Sequence, residues 1–447
     1  MTATTTAVES GALEPASAAP DAGGRAVEGT DRRFWVGIAG AVALGAAVRF
    51  VYLFHGAPRL AGGDGFAYHF DALRLADGLG YTSSMGNVGE EHAHHPPGWV
   101  TLLAGVSEAG GRSMWAHQVT GILIGLVLIL VAGLVGRRYA GRRVGVLTAL
   151  LAAVYPGFWV LEAQVLSEPL GLVVVGVLML VLADLRDRPT LWRAVLVGAV
   201  TGAVGLVRSE LFVLLVIAVA PILLLNPRLS VRQRLASVGT AIAAALVVIA
   251  PWTIYNLGRF EEPVLLSSNV GSTLLAGNCP ASTYSGELLG FYTTACIQEL
   301  SPRVTGLDRT QRDIEFRRVA IDNLGDNLGR LPDIVAARYG RVTGVFRPSQ
   351  TVGFAAEWLN SATWPVWAWV ASFWIVAPLA AYGAVTLRRS RTFQWPLVAP
   401  VVIVLLAVTV AYGEPRYHTP ADLGLVVLAA VAIGDLVPRA RGLWSSR

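Results

Sequence analysis

The residues best suited to chemistry sit in a few short polar stretches of an otherwise greasy chain. "GGDGFAYHFDALRLADGLGY" carries Asp64 and Asp71, seven residues apart, and "EEHAHHPP" carries Glu90, Glu91, His92, His94 and His95. "LSEPLG" supplies Glu168, "VRSEL" supplies Arg208 and Glu210, and "YGEPRYHTPAD" supplies Arg416. A carboxylate within reach of a hydroxyl can act as general base. Arginine presents a planar fork that matches phosphate oxygens. Histidine and carboxylate together can hold a divalent ion, and Glu91 with His94 are the candidate ligands, although their spacing fits no standard zinc signature. These residue types point to proton transfer beside a bound phosphate.

The elements that must carry them are membrane helices. The chain has 447 residues, of which 54% are hydrophobic and only 15% charged. A soluble domain carries about 25% charged residues. The net charge of +5 is therefore no sign of nucleic-acid binding, and all 35 basic residues are arginine. The reading is an all-α polytopic membrane protein with about ten spans, at 34–54, 113–135, 144–161, 166–184, 192–208, 210–225, 235–257, 361–386, 395–412 and 418–437. With the N-terminus inside, this count puts "GRRYAGRR", "LRDRPTLWR", "NPRLSVRQR", "LRRSR" and "PRARGLWSSR" in the cytoplasm, as the positive-inside rule requires. It also puts 55–112 and 258–360 on the outer face, with both termini in the cytoplasm.

The domain plan follows. Residues 1–30 read as a disordered cytoplasmic tail, 31–257 as a transmembrane core with its first outer loop at 55–112, 258–360 as a mixed extracytoplasmic loop, and 361–447 as the C-terminal transmembrane helices. "PPGWVTLLAGV" is too short to span and is expected to lie at the interface or re-enter. Phe66, Phe70, Leu73 and Ala76 recur at helical spacing, so an amphipathic surface helix is expected there, with Asp64 at or near its N-cap. On this stretch alone, Asp64 is a cap and Asp71 is solvated. Glu168 and Arg208 shift the balance, because ionisable groups at membrane depth cost about 2.5–3.5 kcal/mol each and are functional candidates by default. Trp99, Trp252, Trp358, Trp364 and Trp367 are expected in the interfacial belt.

On the outer loop, a helix at 331–345 places Arg338 and Arg341 on one face, either to meet a phosphate or to brace the loop, with Arg347 beyond them. Cys279 and Cys296, the only two cysteines, fall on the same oxidising side, so a disulfide is expected between them.

Taken together, the acid followed by Tyr68 in the first outer loop, the "HHPPGW" helix start, "SEPL", "YGEPRYHTPAD" and "PWTIYNLGRFEEPVLLSSNVGSTLLAGNC" resemble the membrane glycosyltransferases of the GT-C superfamily. Within it they look like the family-39/83 type, which includes protein O-mannosyltransferases and the lipid A aminoarabinose transferase. The likeness covers most of 34–437. It implies a bacterial plasma-membrane enzyme that takes a sugar from a polyprenyl-phosphate donor. Transfer is to an extracytoplasmic lipid, cell-wall glycan or protein acceptor, with inversion at the anomeric carbon. Asp64 matches the first-loop catalytic acid, Glu168 the second acidic position, and Arg416 the basic residue for the lipid phosphate. Tyr68, His94, His95, Arg208, Arg338 and Arg341 are candidate substrate-binding residues, and a divalent metal ion is a candidate cofactor, since some relatives are metal-assisted. Many relatives have Asp-Glu where this chain has Asp64-Gly65, which leaves Asp71 as a candidate replacement for the missing acid. The competing readings are a transporter or lipid flippase, and a membrane scaffold without catalysis. No internal repeat supports the transporter, and the acids cluster at the outer face rather than mid-membrane.

Overall fold

The computed structural model describes residues 22–445, and the side chains of 31–437. Most of the expected tail, residues 1–21, lies outside the described residues. Among the described residues the chain is helical, with no strand beyond one isolated bridge between Thr82 and Glu91.

Helix α1 (Ala22–His55) leads into the segment expected to be the first outer loop, which holds α2 (Gly63–Ala76) and α3 (Pro97–Glu108). Helix α4 (Met114–Val154) covers two of the expected spans. It breaks at Ala140 and Gly141, where Gly141 adopts a φ of +85° that glycine tolerates best. The halves double back on each other. Gly133 and Gly136 face Gly145, Thr148 and Ala149, and their missing side chains let the two backbones approach closely. The break falls in the arginine-rich "GRRYAGRR" stretch expected to be a cytoplasmic link.

Next come α5 (Pro156–Glu162), α6 (Glu168–Asp187) and α7 (Leu191–Val207). The expected span at 210–225 is irregular, with a 3₁₀ turn at Ser209–Val213, a π-turn at Leu215–Val219 and a short α8 (Ala220–Leu224). Helix α9 (Val231–Leu257) opens on a Ser230–Gln233 capping box. The region read as a mixed outer loop is helical: α10 (Val270–Gly277), α11 (Pro280–Thr283), α12 (Ala295–Leu300), α13 (Arg309–Asp326), α14 (Leu331–Val342) and α15 (Pro348–Trp358). The chain then returns through α16 (Thr363–Arg389), α17 (Trp395–Val410) and α18 (Thr419–Ser445).

Six of the described helices are long and apolar enough to cross a membrane, and three shorter apolar stretches, Leu191–Val207, Ser209–Leu224 and Trp395–Val410, pack among them. The bundle is held by pairings of α1 with α4, α7 with α9, and α16 with α18. Its main core runs from Phe34 and Ile38 through Leu172, Val175 and Met179 to Val426 and Val427. A disulfide joins Cys279 to Cys296 with Cα atoms 5.7 Å apart, fastening the end of α10 to α12.

Two expectations about aromatic placement change. The covered face of α2 is not the Phe66–Phe70–Leu73–Ala76 stripe but Gly65, Tyr68, His69, Asp71 and Ala72. The helix therefore turns its polar residues inward, toward the bundle. Trp99 and Trp252 are buried rather than interfacial, each giving its indole N–H to a backbone carbonyl, of Val165 and Leu266 respectively.

Candidate functional site

Four chain reversals at one end of the bundle meet in a single place. Three of them carry a glycine or a proline at the break, and the fourth turns at Arg208, whose backbone is extended. Gly62 and Gly63 begin α2 and put Asp64 in its first turn rather than at the cap. Pro169 follows Glu168 at the start of α6, where its missing N–H costs nothing. Arg208 adopts an extended backbone between α7 and the 3₁₀ turn. Arg416 lies in a 3₁₀ turn, Pro415–His418, just before α18.

Their side chains form one chain of charges. Arg416 Nη1 donates to Asp64 Oδ2 at 2.7 Å, and its Nε donates to Glu168 Oε1. Arg208 Nη1 also reaches Glu168 Oε1, at 2.8 Å, and Arg208 Nε donates to Glu210 Oε1 at 2.6 Å. The guanidinium carbon of Arg416 stands 4.6 Å from the centre of the Trp358 ring. Tyr68 gives its hydroxyl proton to Ser167 at 3.2 Å, and its ring lies 4.5 Å from that of His95.

The environment is dry enough for these charges to act strongly on each other. Glu168 is 1% exposed and its Oε2 has no hydrogen-bond partner among the described residues, whereas Asp64 keeps 28% of its side chain open to the cavity. Burial works against charge on Asp64, but the Arg416 guanidinium more than offsets it and holds the carboxyl below its usual range. His95 goes the other way. Burial favours its neutral form despite Asp64 Oδ1 lying 3.8 Å from Nε2.

A cavity of about 570 Å³ opens on this charge chain. Asp64, Tyr68, His94, His95, Arg208 and Arg416 line it, and so do the apolar side chains of Val213, Val270, Ile403, Val404, Ala407 and Val410. A lining of both kinds suits a molecule with a charged head and a hydrocarbon tail.

Several sequence-predicted site residues lie elsewhere. Asp71 is two turns along the same helix, where its Oδ1 accepts from the Ser84 N–H at 2.9 Å and its Oδ2 faces His92 at 3.3 Å. It anchors the 82–92 loop and does not line the cavity, so it does not replace the acid missing at 65. Gly65 explains why no second acid stands there, because a Cβ at that position would run into the backbone carbonyl of Gln164. For Arg338 and Arg341, read either as phosphate ligands or as braces, the contacts are those of braces. Both are fully buried, with their guanidinium groups given to the carbonyls of Gly277 and Thr409, and of Glu287 and Leu289. They fasten α14 to the 277–289 stretch and to α17.

The five polar residues of "EEHAHHPP" do not converge on one ion. Glu90 pairs with Arg312, Glu91 with Arg259 at 3.5 Å, His92 with Asp71, His94 with Arg309 at 2.6 Å, and His95 approaches Asp64. No group of three or more histidine, cysteine or acidic side chains able to hold a metal is found among the described residues. Glu91 and His94 therefore do not fit the ligand set expected of them.

Sequence reading missed one acid. Glu414 is 4% exposed, and burial raises its carboxyl to about 7, with Asp64 and Glu168 adding to the effect and Arg416 opposing it. The only signal was its position two residues before Arg416 in "YGEPRY".

Residues 94–255 match the family model described as dolichyl-phosphate-mannose-protein mannosyltransferase. That segment contains His94, His95, Glu168 and Arg208 but neither Asp64 nor Arg416. No curated protein matches the sequence. Among solved structures, the Archaeoglobus fulgidus oligosaccharyltransferase in the apo form aligns with a TM-score of 0.54 and 15% identity, over 92% of this chain and 52% of that one. The same protein, as AglB in complex with an inhibitory peptide and a dolichol-phosphate, aligns at 0.53 and 15% identity over 93% and 52%. This chain thus spans about half the length of that relative in structure. ArnT from Cupriavidus metallidurans bound to undecaprenyl phosphate aligns with a TM-score of 0.40 at 17% identity, over 90% of this chain and 78% of that one. The resemblance to GT-C membrane glycosyltransferases holds in the family match and in the fold.

Proposed function

From a multi-pass chain with the GT-C fold and a mannosyltransferase-type match over 94–255, we propose an integral-membrane glycosyltransferase. It moves a sugar from a polyprenyl-phosphate donor to a hydroxyl acceptor on the outer face, with inversion. The observation that carries this reading is Arg416, bonded at once to Asp64 and Glu168 in the wall of a cavity that apolar side chains also line.

The donor's hydrocarbon tail lies along Ile403, Val404, Ala407 and Val410, and its phosphate meets Arg416 and Arg208. Arginine is suited to this because its fork binds two phosphate oxygens at once. Glu168 holds both guanidinium groups in place from below, so they are oriented before the phosphate arrives. Asp64 is ionised in the resting site but a weak base while Arg416 holds it. When the arriving phosphate takes over the Arg416 Nη1 donor from Asp64, with Nε still on Glu168, Asp64 loses its main counter-charge and its proton affinity rises.

The acceptor oxygen then attacks the anomeric carbon, and its proton passes to Asp64. The bond to the phosphate oxygen breaks as the new glycosidic bond forms, and the phosphate leaves with the electron pair into the field of Arg416 and Arg208. A single displacement inverts the centre.

Asp64→Asn tests the base. Transfer by the purified protein should fall by about 10²–10⁴-fold, the range a general base supplies, while polyprenyl phosphate still binds. Full transfer by the variant would show that Asp64 is not the base. Comparing the glycans and glycolipids of a deletion strain with those of its parent identifies the sugar and acceptor.

A further inference from the structure

A second cavity of about 500 Å³ lies against the first on the side of the outer helices, and His94 lines both. Its wall includes Asn87, Glu90, Ser268, Arg309, Arg312 and Asp313. The charges in that wall are unevenly satisfied. Arg312 pairs with Glu90. Asp313 Oδ1 accepts from the backbone N–H groups of Gly271 and Ser272, at 2.8 and 3.1 Å. Arg309 has no carboxylate partner among the described residues. Its Nη2 donates to His94 Nδ1 at 2.6 Å, and its Nε, buried, has no acceptor among them. Ser268 is 6% exposed and its hydroxyl also lacks a partner there. Two side chains of this wall, one of them a cation, therefore keep a buried donor without a protein acceptor, and His94 stands between this cavity and the one that holds Asp64. An unmet buried donor costs about 1–3 kcal/mol, more for a charged group, unless an acceptor fills its place.

We propose that this outer cavity seats the acceptor of the transfer reaction and that the acceptor is anionic. Its phosphate or carboxylate oxygens settle on Arg309 and Ser268, and its reactive hydroxyl extends past His94 into the inner cavity. The inference rests on the glycosyltransferase reading for the word acceptor, but the anion site itself does not.

The test is calorimetric titration of the full-length protein in detergent with inorganic phosphate at low ionic strength. Two sites are expected, the inner one at Arg208 and Arg416 and the outer one at Arg309. Arg309→Gln should lose the outer site alone. Arg309→Lys, which keeps the charge but not the fork, should weaken it about tenfold, and Ser268→Ala about threefold. If Arg309→Gln unfolds, as thermal melting would show, the other two variants decide. Phosphate binding unchanged in Arg309→Lys and Ser268→Ala overturns the proposal. A single site abolished by Arg416→Gln also overturns it, while leaving the donor site standing. Binding that ignores Arg416→Gln but needs Arg309 supports the outer site and counts against the donor-phosphate reading. Displacement of phosphate by glycerol 3-phosphate marks a soluble or glycan-borne phosphate. Displacement only by dihexanoylphosphatidylglycerol marks a lipid headgroup, and Arg309-dependent acetate binding marks a carboxylate.

Discussion

Glu414 lies beside the charge chain, within electrostatic reach of Arg416, Asp64 and Glu168, yet it is not bonded to either arginine of that chain. Its carboxyl titrates at about 7 when folded, against 4.5 for an ordinary glutamate. The folded protein therefore holds a proton on Glu414 that the unfolded chain releases earlier. Stability from this group is complete below about 4.5 and is lost as pH rises through about 7. The loss is up to about 3 kcal/mol, because each tenfold change in proton affinity is worth about 1.36 kcal/mol. Glu414→Gln removes this slope. Thermal unfolding from pH 5 to pH 8 should show the variant gaining on the wild type as pH rises, and parallel curves would show that Glu414 does not titrate in this window. Glu414 and Asp64 also show how neighbouring carboxyls part company. Asp64 is bonded to Arg416 and stays ionised, whereas Glu414 feels the same guanidinium without a bond to it and keeps its proton.

At the scale of elements, the site depends on how closely α2 approaches the segment before α6. Gly65 is on the buried face of α2, and the carbonyl of Gln164 occupies the space its side chain would need. A glycine inside a helix usually gains about 0.5–1 kcal/mol on change to alanine. Here Gly65→Ala should reverse that sign. The new methyl pushes α2 away from Gln164 and carries Asp64 off Arg416, so the melting temperature should drop and transfer should fall at least tenfold with every charged residue still present. A variant more stable than the wild type, with full activity, would show that the approach is not needed. The helices of 258–360 are fixed by other means. Arg338 and Arg341 clamp backbone carbonyls of the 277–289 stretch, and the Cys279–Cys296 disulfide ties down the same region.

The bundle as a whole carries a second buried ion pair, outside the lining of the candidate cavity. Arg49 of α1 donates to Glu162 at the end of α5, with both side chains fully buried. Arg49 also donates to the carbonyl of Ala153 at 2.9 Å. Gly125 makes room for the carboxylate, since any side chain there would overlap it. The pair joins α1, α4 and α5 across the bundle. Breaking one side alone leaves a bare charge, which costs about 3–5 kcal/mol. Arg49→Met should therefore unfold the protein readily in detergent, and Arg49→Met with Glu162→Met should recover most of the loss. Equal instability of the single and double variants would mean that packing, rather than charge, decides at this position.

How much of this was legible in the sequence follows from where the information sits. Hydropathy and arginine placement gave the membrane class and most helix positions, because burial in lipid needs long apolar runs that are local in the chain. The motifs gave Asp64, Glu168, Arg208 and Arg416, since each stands beside a glycine, a proline or another charge that marks a helix end. Local patterning could not tell Asp71 from Asp64, or Arg338 and Arg341 from Arg208 and Arg416. Both acids share one amphipathic helix, and all four arginines look equally available on paper. Their partners are far away in sequence: Asp64 meets Arg416 across 352 residues, and Arg338 reaches the carbonyl of Thr409 across 71. Sequence by itself therefore determined that this is a membrane protein with acids and arginines gathered at its helix ends. Which of those groups share a cavity, and which spend their charge holding the fold together, only the tertiary structure decided, because that choice depends on contacts between segments distant in the chain.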